Sequence, residues 1–292
     1  MNLSASSPAA AGGSPATRPP ARRVVHRRQW ASWFFGALVL VVLGLIVSAA
    51  TRSRVIDPAV FLQYFFSRNI LIGAGHSIML GTIALFFAVG VGLVVAMMRV
   101  SGNPILVGFS ASYVYLFRGT PMLIQLIFWF NAFPIMFPQL HLALPFTGIV
   151  LVDMPMTQVI TPWIAALAGL SLAEGAYMAE IIRGGFLAVD NGQRDAARAI
   201  GMTRSMVMRK VVIPQAARIV VPATGNQYIM LLKSTSLASA IGYLELLRIS
   251  TDIYAANFRV VELLAVAGFW YLVMTAFATA LQTALEKRYP HR

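Results

Sequence analysis

Long stretches of this chain carry no formal charge, and that feature decides what it can fold into. Uncharged, largely apolar runs cover Ala31 to Ala50, about Ile70 to Met98, Gly119 to Val152, Met154 to Ala173 and Leu263 to Leu285. Crossing the hydrocarbon core of a bilayer takes about 20 helical residues, and each run is long enough. A backbone in lipid must satisfy its own hydrogen bonds, which the helix does within one segment. Hydrophobic residues make up 58% of the chain and charged residues 11%, roughly half the charged share of a soluble domain. The sequence therefore predicts an all-α integral membrane protein.

The runs are not all simple spans. Gly119 to Val152 is too long for one helix and contains Pro134, Pro138 and Pro145, so a span ending near Phe137 and then a re-entrant or surface loop is expected. A sixth span is expected between Ile213 and Gly242, interrupted by Pro222, Gly225, Asn226, Lys233, Ser234, Thr235 and Ser236. Such backbone is tolerated at membrane depth only where protein or a water-filled path surrounds it. Residues 1–29, rich in Ala, Ser, Pro, Gly and arginine, read as a disordered basic cytoplasmic tail. Residues 30–52 read as an additional N-terminal transmembrane helix, kept as an anchor although Ser48-Ala49-Ala50 offers small residues at which a signal could be cut.

Charge sets the orientation, because lysine and arginine resist translocation. With six spans and both termini inside, seventeen basic residues fall in cytoplasmic segments and five in external ones, with Lys233 between. The net charge of +13 is then a property of cytoplasmic loops and calls for no nucleic acid. No cysteine is present, which excludes disulfides and thiolate metal sites.

The most charged interior segment is Asp195 to Pro214, DAARAIGMTRSMVMRKVVIP, read as a helix, a turn at Gly201 and a second helical segment, with Ile213-Pro214 opening the next helix. Ala196, Ala199 and Ile200 share one helical face, small enough for close approach by another protein, and Arg194, Arg198 and Arg204 could pair with acids across such a contact. Asp195-Ala196-Ala197, then Gly201, then Ile213-Pro214, resembles the EAA motif of permease subunits of ATP-binding-cassette importers. GAYMAEIIRGG (Gly175 to Gly185), Gln193, VVIPQAAR (Val211 to Arg218), LKSTSLASAIGYLELL (Leu232 to Leu247) and YVYLFRGTPMLIQL (Tyr113 to Leu126) are similar to the polar amino-acid branch of that family. Asp195 stands where the family usually has glutamate, and Ile200 and Ile213 where it has leucine.

The resemblance implies a permease core at 70–286, five spans with the sixth helix an addition, and a coupling loop at 190–212. It implies that Asp195, Ala196, Ala197, Ile200, Gly201, Arg204, Ile213 and Pro214 dock on a cytoplasmic ATPase dimer. It further implies a second permease subunit, an extracytoplasmic solute-binding protein, an amino-acid substrate and a prokaryotic inner membrane. Residues 287–292 would be a cytoplasmic C-terminal tail.

Ionisable and polar groups within spans are the candidates for the substrate path. Glu174 and Glu180 lie in the span before the loop, six residues apart and so on different faces, with Glu174 the deeper. Glu174 reads either as a ligand for an amino group or as a carboxylate satisfied by a neighbouring helix. Arg118 reads as a headgroup anchor or as the pair of a partner carboxylate, and Gln125 as path lining or a helix-to-helix hydrogen bond. Lys233 and Thr235 read as a gate or as support for a broken helix. No metal-ligand spacing, nucleophile elbow or Walker lysine loop occurs, so no cofactor is expected and ATP hydrolysis is assigned to a separate subunit. Two alternatives are a secondary transporter using Glu174 or Lys233 as a proton site, and a scaffold without transport. The first predicts inverted repeats, of which the sequence shows none that is convincing.

Overall fold

The computed structural model describes residues 30–52, 57–144 and 149–288. The expected tail at 1–29 and all of 287–292 beyond Arg288 lie outside them. Two compact units divide the chain, Met1–Ser53 and Arg54–Arg292. The first is described by α1, Trp30–Arg52, whose 23 residues match the length of a bilayer crossing.

In the second unit, α2 (Pro58–Phe65) leads into α3 (Arg68–Arg99), α4 (Pro104–Gly119) and α5 (Met122–Ile127). A π-helical turn at Phe128–Ala132 continues α5 into α6 (Phe133–Met136). Then come β1 (Gln139–Ala143), β2 (Val150–Pro155), α7 (Met156–Val159) and α8 (Pro162–Leu187). Helices α9 (Asn191–Ala199) and α10 (Arg204–Val207) follow, the latter running through a second π turn, Met208–Val212, into α11 (Ile213–Ser234). A 3-10 segment at Thr235–Ile241, α12 (Leu246–Asn257) and α13 (Val260–Arg288) complete the fold.

Local sequence accounts for several boundaries. Asp57-Pro58, Asn103-Pro104 and Thr161-Pro162 each open a helix, with the first side chain accepting from the backbone N–H of Ala59, Ile105 or Ile164 and the proline supplying a preset φ. Both π turns end two residues before a proline, Pro134 or Pro214. A proline ring collides with the carbonyl four residues back, and an i to i+5 bond, Phe133 N–H to Phe128 O or Ile213 N–H to Met208 O, relieves it. α11 thus opens at Ile213-Pro214 as expected, but with no break before it: the chain stays helical from Arg204 to Ser234.

Among the described residues, α3, α8 and α13 are long and apolar enough to cross a membrane, and the pair Pro104–Gly119 and Met122–Met136, bent by 103°, makes a fourth, broken span. The segment after Phe137, expected as a re-entrant or surface loop, is a β-hairpin that pairs Leu140 with Met154 and Leu142 with Val152 in an otherwise helical fold. One expectation needs correction. The run beginning at Met154 is not the start of a span: strand and a short turn of helix occupy it up to Val159, and the span starts at Pro162 and ends at Leu187. Hydropathy is flat across this boundary, which the pairing of β2 with β1 and the Thr161-Pro162 cap set.

Helices α3 and α8 form the centre. The buried face of α3 is Gly73, Ala74, Ser77, Gly81, Ala84, Ala88, Gly92 and Ala96 with a few larger residues, while Phe86 and Val94 on the other side are 75% and 53% exposed. Sorting is by size rather than polarity, as expected where lipid tails compete equally for apolar side chains and backbones gain by approaching closely. Helix α8 buries residues all round, including Gly169, Gly175 and Gly185.

Glu245 shows how a buried carboxylate is held in this setting. It caps α12, with Oε1 accepting from Arg248 N–H at 2.7 Å and Oε2 from Leu247 N–H at 2.9 Å, Tyr271 Oη–H at 2.5 Å and Ser77 Oγ–H at 3.4 Å. It is fully buried. Glu245→Ala leaves two backbone N–H groups and a tyrosine hydroxyl without their acceptor and should destabilise the fold by about 3 kcal/mol. A thermal-unfolding series on purified protein would read this as a clear drop in midpoint, and an unchanged midpoint would refute it.

Candidate functional site

Two regions hold the residues singled out from the sequence. The first is the α9 to α10 turn. Helix α9 ends in a Schellman arrangement: Met202 N–H donates to Ala197 O at 3.1 Å and Gly201 N–H to Arg198 O at 2.9 Å. Gly201 has φ +83°, the left-handed conformation this cap requires. The buried side chain of Ala197 joins a cluster with Ile182 and Phe186 of α8 and Val207 and Val212, and Met202 packs against it. Thr203 then caps α10 by accepting from Met206 N–H at 3.3 Å. Gln215 of α11 donates to Gln193 of α9 at 2.5 Å, tying the two together.

With Ala197 turned inward, Asp195, Ala196, Ala199 and Ile200 are left exposed, Ile200 by 75%. A large apolar side chain held in water beside two alanines is a surface suited to another protein. Arg204 is exposed and Arg198 pairs with Asp195 at 3.5 Å on the surface. Arg194, expected to face a partner, instead turns inward and donates to Phe186 O at the end of α8. The α8 carbonyls are the negative end of that helix and draw the guanidinium in.

The second region lies among the spans. Glu174 is 4% exposed and its Oε1 accepts from Gln227 Nε2–H of α11 at 2.5 Å. Of the two readings of Glu174, this geometry is that of a carboxylate satisfied by a neighbouring helix, with its second oxygen free for a further donor. Tyr113 Oη–H donates to Leu172 O at 2.6 Å, fixing α4 against α8 beside it. Glu180 is not part of this group: it pairs with Arg183 at 2.6 Å toward the end of α8.

Gln125 lines a small apolar cavity with Phe117, Thr120 and Trp129. Its amide nitrogen lies 2.8 Å from Thr120 Oγ1, 2.9 Å from Phe117 O and 3.1 Å from Thr120 O, and so ties down the end of α4 at the bend before Pro121. Arg118 stacks over the Tyr177 ring, 5.0 Å from its centre. Lys233 is exposed near the end of α11, while Thr235 is buried and donates to Leu232 O at 2.7 Å, supporting the change from α to 3-10 helix. The structure thus brings Glu174 and Gln227 together and keeps Gln125, Lys233 and Thr235 apart from them. Gln227 carried no sequence signal beyond being polar in a span, and Glu245 was legible only as an acid before a helical pattern.

Similarity to known proteins agrees with this architecture. A family model described as "Binding-protein-dependent transport system inner membrane component" matches residues 88–290. The arginine transport system permease protein ArgU of Corynebacterium glutamicum is 38% identical over 258 residues, 88% of this chain and 79% of its own. The glutamine transport system permease protein GlnP of Escherichia coli is 32% identical over 216 residues, covering 74% and 90%. A crystal structure of an amino acid ABC transporter with histidines superposes with a TM-score of 0.68 at 32% identity, over 80% of this chain and 99% of that one. Continuous agreement from the middle of α3 through the exposed turn to α13 means that the chain belongs to the family of inner-membrane components of binding-protein-dependent transport systems.

Proposed function

We propose that this protein is the permease subunit of an ATP-driven amino-acid importer of a prokaryotic inner membrane, with both termini in the cytoplasm. The observation that carries the mechanism is the exposed α9 face, Ala196, Ala199 and Ile200, presented by a helix whose other side is anchored through Ala197 to α8 and α11. A push on that face is transmitted to two long helices, because packed interiors shift as units. In this reading residues 190–212 are the coupling loop, with Asp195, Ala196, Ala197, Ile200, Gly201 and Arg204 at or behind the contact and Ile213-Pro214 joining it to α11. ATP hydrolysis belongs to a dimer of separate subunits, a second permease completes the path, and a binding protein delivers substrate from outside. Alternating access follows as the ATPases close and open. The core then comprises residues 70–286 and α1 is an added anchoring helix.

The test is reconstitution of the chain with its co-purifying partners in liposomes. Uptake of a radiolabelled amino acid that requires ATP and the binding protein supports the proposal. Uptake by the chain alone, without ATP, would replace it with an ion-driven carrier.

Glu174 is proposed to meet the amino group or cationic side chain of the substrate, with Gln227 orienting it. Glu174→Gln keeps size and most hydrogen bonding, so assembly should be retained while preference among cationic and neutral amino acids shifts by about tenfold, the effect of losing one buried charge pairing. Competition uptake measures this, and an unaltered preference order would make Glu174 a structural residue.

A further inference from the structure

Five arginines from four helices converge where α3 and α8 end. Arg99 closes α3, Arg183 lies on the last turns of α8, Arg194 and Arg198 are on α9 and Arg204 opens α10; together they line a cleft of about 420 Å³. Its remaining walls are apolar, with Val100, Phe186, Val207 and Val212 among them, and no carboxylate lines it. Among the described residues, two of the five have a carboxylate of their own, Arg183 with Glu180 and Arg198 with Asp195.

Three of these guanidiniums are held by hydrogen bonds, while Arg198 and Arg204 are exposed. Arg99 donates to Val107 O at 3.2 Å, Arg183 is fixed by two bonds to Glu180, and Arg194 by Phe186 O. The Nε of Arg194 is buried with no hydrogen-bond partner. Several fixed cations around an apolar floor suit an anion with several oxygens, and guanidinium forks match phosphate geometry. The lining of the cleft includes none of Ala196, Ala199 and Ile200, the exposed apolar residues of the turn. Its depth in the membrane favours one source: α3 and α8 are spans, and a cleft at their ends lies at the level of headgroup phosphates.

We propose that this cleft binds a phosphate group, that of an anionic phospholipid headgroup, between the spans and the coupling turn. It rests on the reading of the turn only in its placement on the cytoplasmic side. A bound headgroup bridges α3, α8, α9 and α10, so lipid composition becomes an input to the element that moves during transport.

The test uses the purified full chain in detergent, titrated with phosphatidylglycerol, phosphatidylcholine or inorganic phosphate and followed by native mass spectrometry. Neither ATPase nor amino acid is involved, so the outcome is independent of the transport reaction. Retention of phosphatidylglycerol over phosphatidylcholine is expected, weakening by about fivefold for each of Arg99→Gln and Arg204→Gln, as loss of one basic contact implies. Phosphatidylglycerol that resists excess inorganic phosphate identifies the lipid as the source. Displacement by inorganic phosphate supports the phosphate site and assigns it to a soluble ligand. No preference for phosphatidylglycerol together with no phosphate binding overturns the proposal, as do adducts of the unmutated chain that survive in both folded variants.

Discussion

Replacing Gly92 with leucine is expected to abolish accumulation of folded protein. At Gly92, α3 and α8 are in tight contact: a Cβ placed there would stand 2.6 Å from Met178 Cβ and 2.9 Å from both the backbone carbon of Met178 and the backbone nitrogen of Ala179. These are not the far ends of flexible side chains, so the contact is relieved only by moving one helix off the other. Overpacking ordinarily costs about 1–3 kcal/mol, and with rigid backbone opposite the upper end or more applies. Even Gly92→Ala should lower the thermal midpoint measurably. Gly90, two residues away, has nothing within 4 Å, so Gly90→Ala is the matched control and should be neutral. Fluorescence-detected size exclusion and thermal melts distinguish the two, and equal behaviour of both variants would refute the argument.

Gly201→Val is expected to do the opposite, leaving the protein in the membrane but uncoupled. Nothing lies within 4 Å of a Cβ built on Gly201, so the cause is not bulk. At φ +83° an L side chain costs about 1–2 kcal/mol, most for a β-branched residue. That strain falls on the two hydrogen bonds that end α9, and the turn should relax toward another conformation and carry the Ala196 and Ile200 face with it. We expect ATP-driven uptake to fall by more than tenfold and the ATPase to be lost on purification. Gly201→Asn should retain most activity, since asparagine tolerates the left-handed region. A valine variant with full uptake would show that the turn does not need this conformation for coupling, and equal loss with asparagine would point to size instead.

The comparison between sequence and structure has a physical pattern. Membrane character was legible because lipid excludes charge, and uncharged runs of this length admit little else. The turn at Gly201 was legible as local chemistry, a residue free to take positive φ, whereas the helix starts at Asp57-Pro58, Asn103-Pro104 and Thr161-Pro162 rest on caps and a preset φ that the uncharged runs do not display. The hairpin at β1 and β2 was missed, because Leu140, Leu142, Val152 and Met154 are as apolar as the spans on either side and strand pairing between distant residues leaves no mark on hydropathy. The start of α11 at Ile213-Pro214 was legible, but its continuity with α10 was not, because a proline reads as a break and a π turn absorbs it.

Polar residues in the spans divide in the same way. Their presence marks places where lipid is excluded, but each of their partners lies on another helix or across a bend. Gln125 faces Thr120 across a broken span, Glu174 meets Gln227 after 53 residues, and Glu245 gathers Ser77 and Tyr271 from two other helices. A sequence lists donors and acceptors without saying which pairs close.

What the sequence determined by itself is the solvent, the orientation expected from its arginines and the resemblance in the segment around Gly201, all consequences of residue type and near-neighbour spacing. What only the tertiary structure decided is which side chains are turned inward, from Ala197 under the exposed turn to Arg194 at the end of α8. Helices of almost uniform hydropathy have no polar face to orient them, and contact by contact fit of small residues against large ones, as at Gly92 and Met178, selects one arrangement.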